Sequence, residues 1–270
     1  MSYCRIMCVG PSRINETMAT LAFDHQHTIQ FDITYIISPY SPEVFYNLFE
    51  KFNIDFTKFE ILDDTYFSQI YDLSKWSHDN WYKQQAFKLC ALDYFNHDRF
   101  LIQDCDLILL EPYTAFIDNK PNFKAEPLWN EYHTVYADMV TELIQQKRIV
   151  DISLVNELMP YHKKDWLLLK QHLEQLHNKS FLDAIPDLKE FDETKWFSEY
   201  ELLGIFKTNL DQNWTYFSNV SQPAIHNWEQ FYNHNWKCCN SVKFHARPLK
   251  FMTEHEASDV INHIKLFDIS

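Results

Sequence analysis

Glycine is almost missing from this chain of 270 residues: Gly10 and Gly204 are its only two. That scarcity removes both common glycine-built phosphate cradles, because neither G-x-G-x-x-G nor G-K-[ST] can be written. A bound phosphate must then be met by a metal, by side chains or by other backbone amides. The six cysteines, Cys4, Cys8, Cys90, Cys105, Cys238 and Cys239, include no C-x-x-C pair. This argues against a zinc site and for reduced, buried thiols. No apolar run is long enough to cross a bilayer. The opening MSYCRIMCVGPSR has only a short apolar stretch, broken by Arg5, and does not read as a signal peptide. A cytoplasmic location is expected. Positive charge is also short, with 24 Lys and Arg against 38 Asp and Glu and a net charge of −14. Such a chain repels polyanions at long range, so nucleic acid would need a local basic groove.

Aromatic side chains are plentiful, at 17%, and strand and helix signals alternate along the first part. YCRIMCV (3–9), FDITYIIS (31–38) and FEILDD (59–64) read as strands closed by turn residues. SPEVFYNLFEKFN (41–53) reads as a helix with Ser41 as cap and Pro42 in the first turn. WYKQQAFKLCALDYF (81–95) is a second helix, with Trp81, Ala86, Leu89, Leu92 and Phe95 near one stripe. In the second part, RIVDISLVN (148–156) reads as a strand. KKDWLLLKQHLEQLH (163–177) and SEYELLGIFKTNL (198–210) read as helices. The expected class is α/β, with a mostly parallel central sheet covered by helices on both faces. No linker is evident, so a single domain is expected, with functional halves at 1–115 and 116–270 and an irregular tail.

The segment FLIQDCDLILLEPY (100–113) reads as a fourth strand. On one continuous strand Asp104 and Asp106 would face the same way. Near the carboxyl end of a central strand, where open α/β sheets bind ligands, the pair suits a hard divalent cation. The alternative is a solvated acidic turn between two apolar runs.

Several pieces in order carry a resemblance: NWYKQQAFKL (80–89), FLIQDCDLILLEP (100–112), VNELMPYH (155–162), NKSFLDAI (178–185) and FSEYELLGIF (197–206). The chain resembles metal-dependent glycosyltransferases of the GT-A fold, which carry an Asp-x-Asp at this place. More closely, it resembles a family of GT-A-like proteins from bacteria and phages. The resemblance implies a nucleotide-diphosphate sugar donor such as a UDP-sugar, held by the first half. It implies Mn2+ or Mg2+ on Asp104 and Asp106, where the metal takes the place of a glycine cradle. GT-A enzymes often add a C-terminal histidine ligand, and His245 is the candidate, with His226 behind it.

Gln85 and Lys88 are candidate donor-binding residues on the 81–95 helix; the alternative is a solvated face. Ser198 and Glu201 fit an S-x-x-E capping box, which explains both without chemistry. Glu199 is not explained that way and is the candidate general base. Tyr200 and His162 are candidates for the acceptor side. The expected activity is transfer of a sugar to a hydroxyl acceptor, and the acidic charge favours a saccharide. A hydroxylated pyrimidine in phage DNA is the alternative, with Lys163, Lys164, Lys237, Lys243, Arg247 and Lys250 as phosphate contacts. The rival classes are an inactive binding module that keeps the fold, and a nucleotide-sugar hydrolase or nucleotidyltransferase using the same Asp pair.

Overall fold

A computed structural model describes residues 2–24, 31–76, 80–109, 113–127, 131–155, 157–186, 197–217, 224–225, 241–244 and 252–265. In chain order the elements are β1 (Tyr3–Cys8), α1 (Ile14–Asp24), β2 (Ile33–Ser38), α2 (Pro42–Lys51), β3 (Phe59–Asp63), α3 (Thr65–Ile70), α4 (Asn80–Tyr94) and β4 (Arg99–Asp104). They continue as β5 (Leu107–Leu109), β6 (Phe116–Ile117), β7 (Lys120–Lys124), β8 (Glu126–Pro127), α5 (Glu131–Ile144), β9 (Ile152–Ser153) and β10 (Leu158–His162). The remainder are α6 (Lys163–His177), α7 (Phe181–Ala184), α8 (Glu199–Leu210), β11 (Thr215–Phe217), β12 (Ala224–Ile225), β13 (Ser241–Phe244) and α9 (Glu254–Lys265).

Five strands form the central sheet in the order β10-β4-β1-β2-β3. After its first residue β1 is buried throughout, as is β2, while β3 at the edge alternates. Burial on both faces is what near-continuous apolar strands need, and it explains why β1 and β2 show no polar face. Strands β2 and β3 pair in parallel from Thr34 with Phe59 to Ser38 with Asp63.

The chain divides into two compact units, and neither is a continuous half. One comprises residues 1–6, 65–102 and 115–218; the other comprises 7–64, 103–114 and 219–270. Strands β1 and β4 each begin in the first and end in the second. The second unit's core joins Met18, Leu21 and Phe23 of α1, Ile36, Phe45, Phe49 and Ile61 to Ala257, Val260 and Ile261 of α9. Each of these buried side chains other than Ala257 contributes roughly 1.5–3 kcal/mol relative to exposure. In the first unit, Trp166, Leu169 and Leu173 of α6 are buried on the stripe the sequence marks. The Trp166 ring meets Phe181 edge-on at 5.1 Å.

The shortage of glycine shows in the turns. Among the described residues, those at positive φ are Asn53, Asp118, Asn119, Gln145 and Asn178. Asparagine and aspartate tolerate this region because their short side chains bond locally. Asn53 closes α2 in a Schellman arrangement: its N–H donates to Glu50 O at 3.1 Å and that of Ile54 to Phe49 O at 2.8 Å. Asp118 and Asn119 form the two-residue loop of the β6–β7 hairpin, the geometry usually given to Asn-Gly. Gly204 serves close packing instead. A Cβ there would lie 2.7 Å from Leu154 Cβ, an atom no rotamer change can move aside. Gly204→Ala is therefore expected to destabilise by about 1–3 kcal/mol despite its better helix propensity. A denaturant midpoint checks this, and adding Leu154→Ala should recover part of the loss through coupling.

Three sequence expectations change. The fourth strand does not run through the acidic triplet: β4 ends at Asp104, Cys105 and Asp106 form a turn, and β5 starts at Leu107. The two carboxylates are thus not an i, i+2 pair on one strand. The expected strand at 148–156 shrinks to Ile152 and Ser153. Trp81, assigned to the buried stripe of α4, is 39% exposed.

Candidate functional site

After β1 the chain turns through Gly10, Pro11 and Ser12 into α1. The Arg13 N–H donates to Gly10 O at 3.0 Å, and Thr17 Oγ1 donates to Arg13 O at 2.7 Å, fixing the start of the helix. One turn of helix brings Arg13 beside Glu16, with Nη1 3.5 Å from Glu16 Oε1. The same nitrogen lies 3.6 Å from Asp106 Oδ2. The Cys105–Asp106 turn is pinned by Thr20 Oγ1, which donates to Cys105 O at 3.0 Å. Gln103 Nε2 reaches across it to Leu107 O at 3.4 Å. Asp104 is half-buried at the strand end and Asp106 is buried. Glu16 is fully buried. Desolvation pushes its carboxyl up to about 7, against the pull of its own backbone amide and of Arg13. Burial also raises the Cys105 thiol, helped by the Asp106 and Asp104 charges.

The opening stretch thus places Arg13, which pattern reading missed, on Asp106. The only local signal was an arginine just past the Gly-Pro turn that closes a buried strand. Two carboxylates at such a turn fit Mg2+ or Mn2+, which take oxygen ligands, keep several waters and share phosphate oxygens with a substrate. Among the described residues no group of three or more His, Cys, Asp or Glu could hold a metal. His245 and His226 lie outside the described residues, as do Lys237, Arg247 and Lys250.

In the other unit two motifs of the sequence meet. Gln85 and Lys88 sit on the buried side of α4, and Glu199 and Tyr200 open α8; all four are at most 5% exposed. Lys88 Nζ donates to Glu199 Oε1 at 2.6 Å and to Tyr200 Oη at 3.0 Å. Gln85 Oε1 accepts from the Glu199 N–H at 3.0 Å, satisfying one of the orphan donors at the helix start. Gln85 Nε2 has no hydrogen-bond partner among the described residues. Gln85 and Lys88 therefore do not form a solvated face.

The capping box is half formed. Ser198 Oγ accepts from the Glu201 N–H at 3.3 Å, as the pattern requires. The Glu201 carboxylate points elsewhere: its Oε2 accepts from the Leu154 N–H at 2.8 Å, and Oε1 has no hydrogen-bond partner among the described residues. Burial pushes Glu201 up to about 7, against the Leu154 amide and Arg148.

His162 is buried, and its Nε2 meets Asn119 O at 2.9 Å in the β6–β7 turn, with Phe116 beneath the ring at 4.9 Å. Burial lowers its pKa, opposed by that backbone contact. Lys163, a candidate phosphate contact, is engaged at the end of α4. Its ammonium donates to Leu92 O, Asp93 O and Phe95 O at 2.7–2.9 Å, the charge that a helix C-terminus attracts. The Lys243 side chain is not described.

Comparison with solved structures defines the fold. WbbM, a bifunctional glycosyltransferase, superposes with a TM-score of 0.55 at 8% identity, over 97% of this chain and 49% of that one. The galactosyltransferase LgtC, in complex with donor and acceptor sugar analogues, gives 0.54 at 9% identity over 96% and 95%. GlyE of Streptococcus pneumoniae, a glycosyltransferase, gives 0.50 at 10% identity over 100% and 64%. The chain spans about half the length of WbbM and less than two thirds of GlyE. The fold is that of GT-A glycosyltransferases. The chain itself belongs to a family of unknown function, DUF6492, whose profile matches residues 24–250. A search of curated proteins gave no match. Among the described residues no helix is long and apolar enough to cross a membrane.

Proposed function

We propose that the protein is a glycosyltransferase that moves a sugar from a nucleotide-diphosphate donor to a hydroxyl acceptor, with a divalent cation on Asp104 and Asp106. The observation that carries this reading is the Asp104-Cys105-Asp106 turn at the end of a central strand of a GT-A fold, against the β1–α1 turn. LgtC, with the same fold over nearly its whole length, was solved with donor and acceptor sugar analogues. Bound Mn2+ or Mg2+ would neutralise the diphosphate leaving group. Asp104 and Asp106 orient that cation. His245 is the proposed further ligand. Glu199 is the proposed proton acceptor, and Gln85 and Lys88 serve the reaction by fixing Glu199 and Tyr200. His162 and Tyr200 are proposed for the acceptor side. A net charge of −14 and the engagement of Lys163 support a saccharide acceptor over DNA.

The test is a screen of nucleotide sugars with Mn2+ or chelator, against glycan acceptors and hydroxymethylated DNA. Release of nucleotide with the sugar appearing on a glycan is expected. Release without transfer would point to a hydrolase, no release to a binding module, and label on DNA alone would reverse the acceptor. Glu199→Gln should lower turnover about 100-fold or more, with donor affinity little changed. It also leaves the buried Lys88 without its carboxylate, at about 3 kcal/mol. Turnover must therefore be normalised to folded protein, and unchanged turnover would leave Glu199 a structural role only.

A further inference from the structure

Arg13 stands in an unusual electrostatic position. Its guanidinium lies between Glu16 and Asp106, at 3.5 and 3.6 Å. These distances bring Coulomb attraction but exceed direct hydrogen bonds. Among the described residues, neither of the buried atoms Arg13 Nη1 and Glu16 Oε2 has a hydrogen-bond partner. The Arg13 side chain is 20% exposed, so part of it borders solvent while Nη1 is buried. A guanidinium held by charge but not locked by hydrogen bonds can exchange partners at little cost. Its best partner is a phosphate, which a planar fork grips with two parallel bonds.

Asp106 is one of only two carboxylates in the triplet, so a cation bound there shares a ligand with Arg13. Two positive groups on one carboxylate repel each other. A cation bound there would therefore compete with the arginine for Asp106.

We propose that Arg13 couples metal and donor binding: it competes with the divalent cation for Asp106 and, once displaced, holds the donor diphosphate. This rests on the glycosyltransferase reading and adds a residue and an order of loading to it. Glu16, fully buried, is the fixed post from which Arg13 turns. The proposal explains why a chain without a glycine cradle places a cation in the β1–α1 turn.

The test measures binding rather than turnover, on the full chain. Mn2+ affinity is read by electron paramagnetic resonance with no nucleotide present. Affinity for UDP, GDP, ADP and dTDP is then read by calorimetry at saturating Mn2+. Arg13→Gln is expected to bind Mn2+ alone about tenfold more tightly and its best nucleoside diphosphate about tenfold more weakly, the scale of one charge-assisted contact. Arg13→Lys keeps a charge without the fork, so it should leave Mn2+ affinity near wild type and still weaken the nucleotide. Unchanged or weaker Mn2+ binding in Arg13→Gln, or unchanged nucleotide binding in both variants, overturns the coupling. If the wild-type protein binds no Mn2+ at millimolar concentration, the metal reading itself fails and the coupling with it.

Discussion

Asp104→Ala combined with Asp106→Ala should leave a folded protein that transfers no measurable sugar. Losing the cation's contribution, several kcal/mol of transition-state stabilisation, amounts to about 1,000-fold or more in rate. Stability should not fall far, because the change removes two neighbouring like charges, and relief of their mutual repulsion offsets the loss of the Arg13 contact at 3.6 Å. The measurement is product formation beside a thermal unfolding curve. Asp106→Asn is a useful companion, since it keeps the shape of the turn and removes only the charge. A double variant with wild-type rates in excess chelator would end the metal assignment.

Glu201→Gln should make the protein more stable at pH 8 than the wild type. The Glu201 carboxyl is raised from 4.5 to about 7 by burial, so the folded state holds a proton that the unfolded chain has released. A raised carboxyl stabilises fully below the unfolded value near 4.5, and this contribution is lost as pH climbs through about 7. The full difference is on the order of 3 kcal/mol. Glutamine keeps an oxygen for the Leu154 N–H and has no charge to bury. The variant should therefore match the wild type near pH 4.5 and exceed it increasingly up to pH 8. Glu16 and other groups titrate in both proteins, so the difference between their pH profiles isolates residue 201. Parallel profiles would mean that Glu201 is not the buried carboxyl the geometry describes.

Most of the sheet and the main helices could be read from the sequence because their signals are local. Helix α6 falls on the residues its apolar spacing marks, and β2, β3 and α8 shift by no more than two residues. The GT-A fold also followed from the ordered motifs. What failed depended on partners distant in sequence. The triplet reads as part of one strand, with an acidic turn as the alternative; the turn is what forms, held where Thr20 bonds Cys105 O, but Asp106 is buried rather than solvated. Glu201 matched a capping box, yet the Leu154 amide 47 residues away takes its carboxylate. Lys163 looked free for phosphate until the end of α4 was placed beside it. Gln85, Lys88, Glu199 and Tyr200 were each marked as candidates, but only the fold shows that they form one buried cluster. Arg13 had no periodicity or motif to mark it.

The interleaving of the two units sets a timetable for synthesis. Helix α1 ends at Asp24, but Ala257, Val260 and Ile261, which complete its core, belong to α9. At roughly 5–20 residues per second the ribosome needs about 12–50 s between the two. Met18, Leu21 and Phe23 must wait through that interval with one side uncovered. The unit ending at residue 218 can close while the other, whose residues 7–64 are made long before its last segment, is still waiting. A nascent chain stalled near residue 250 would present that apolar helix to any chaperone at the exit port, and slow codons there should cost more soluble protein than slow codons anywhere upstream.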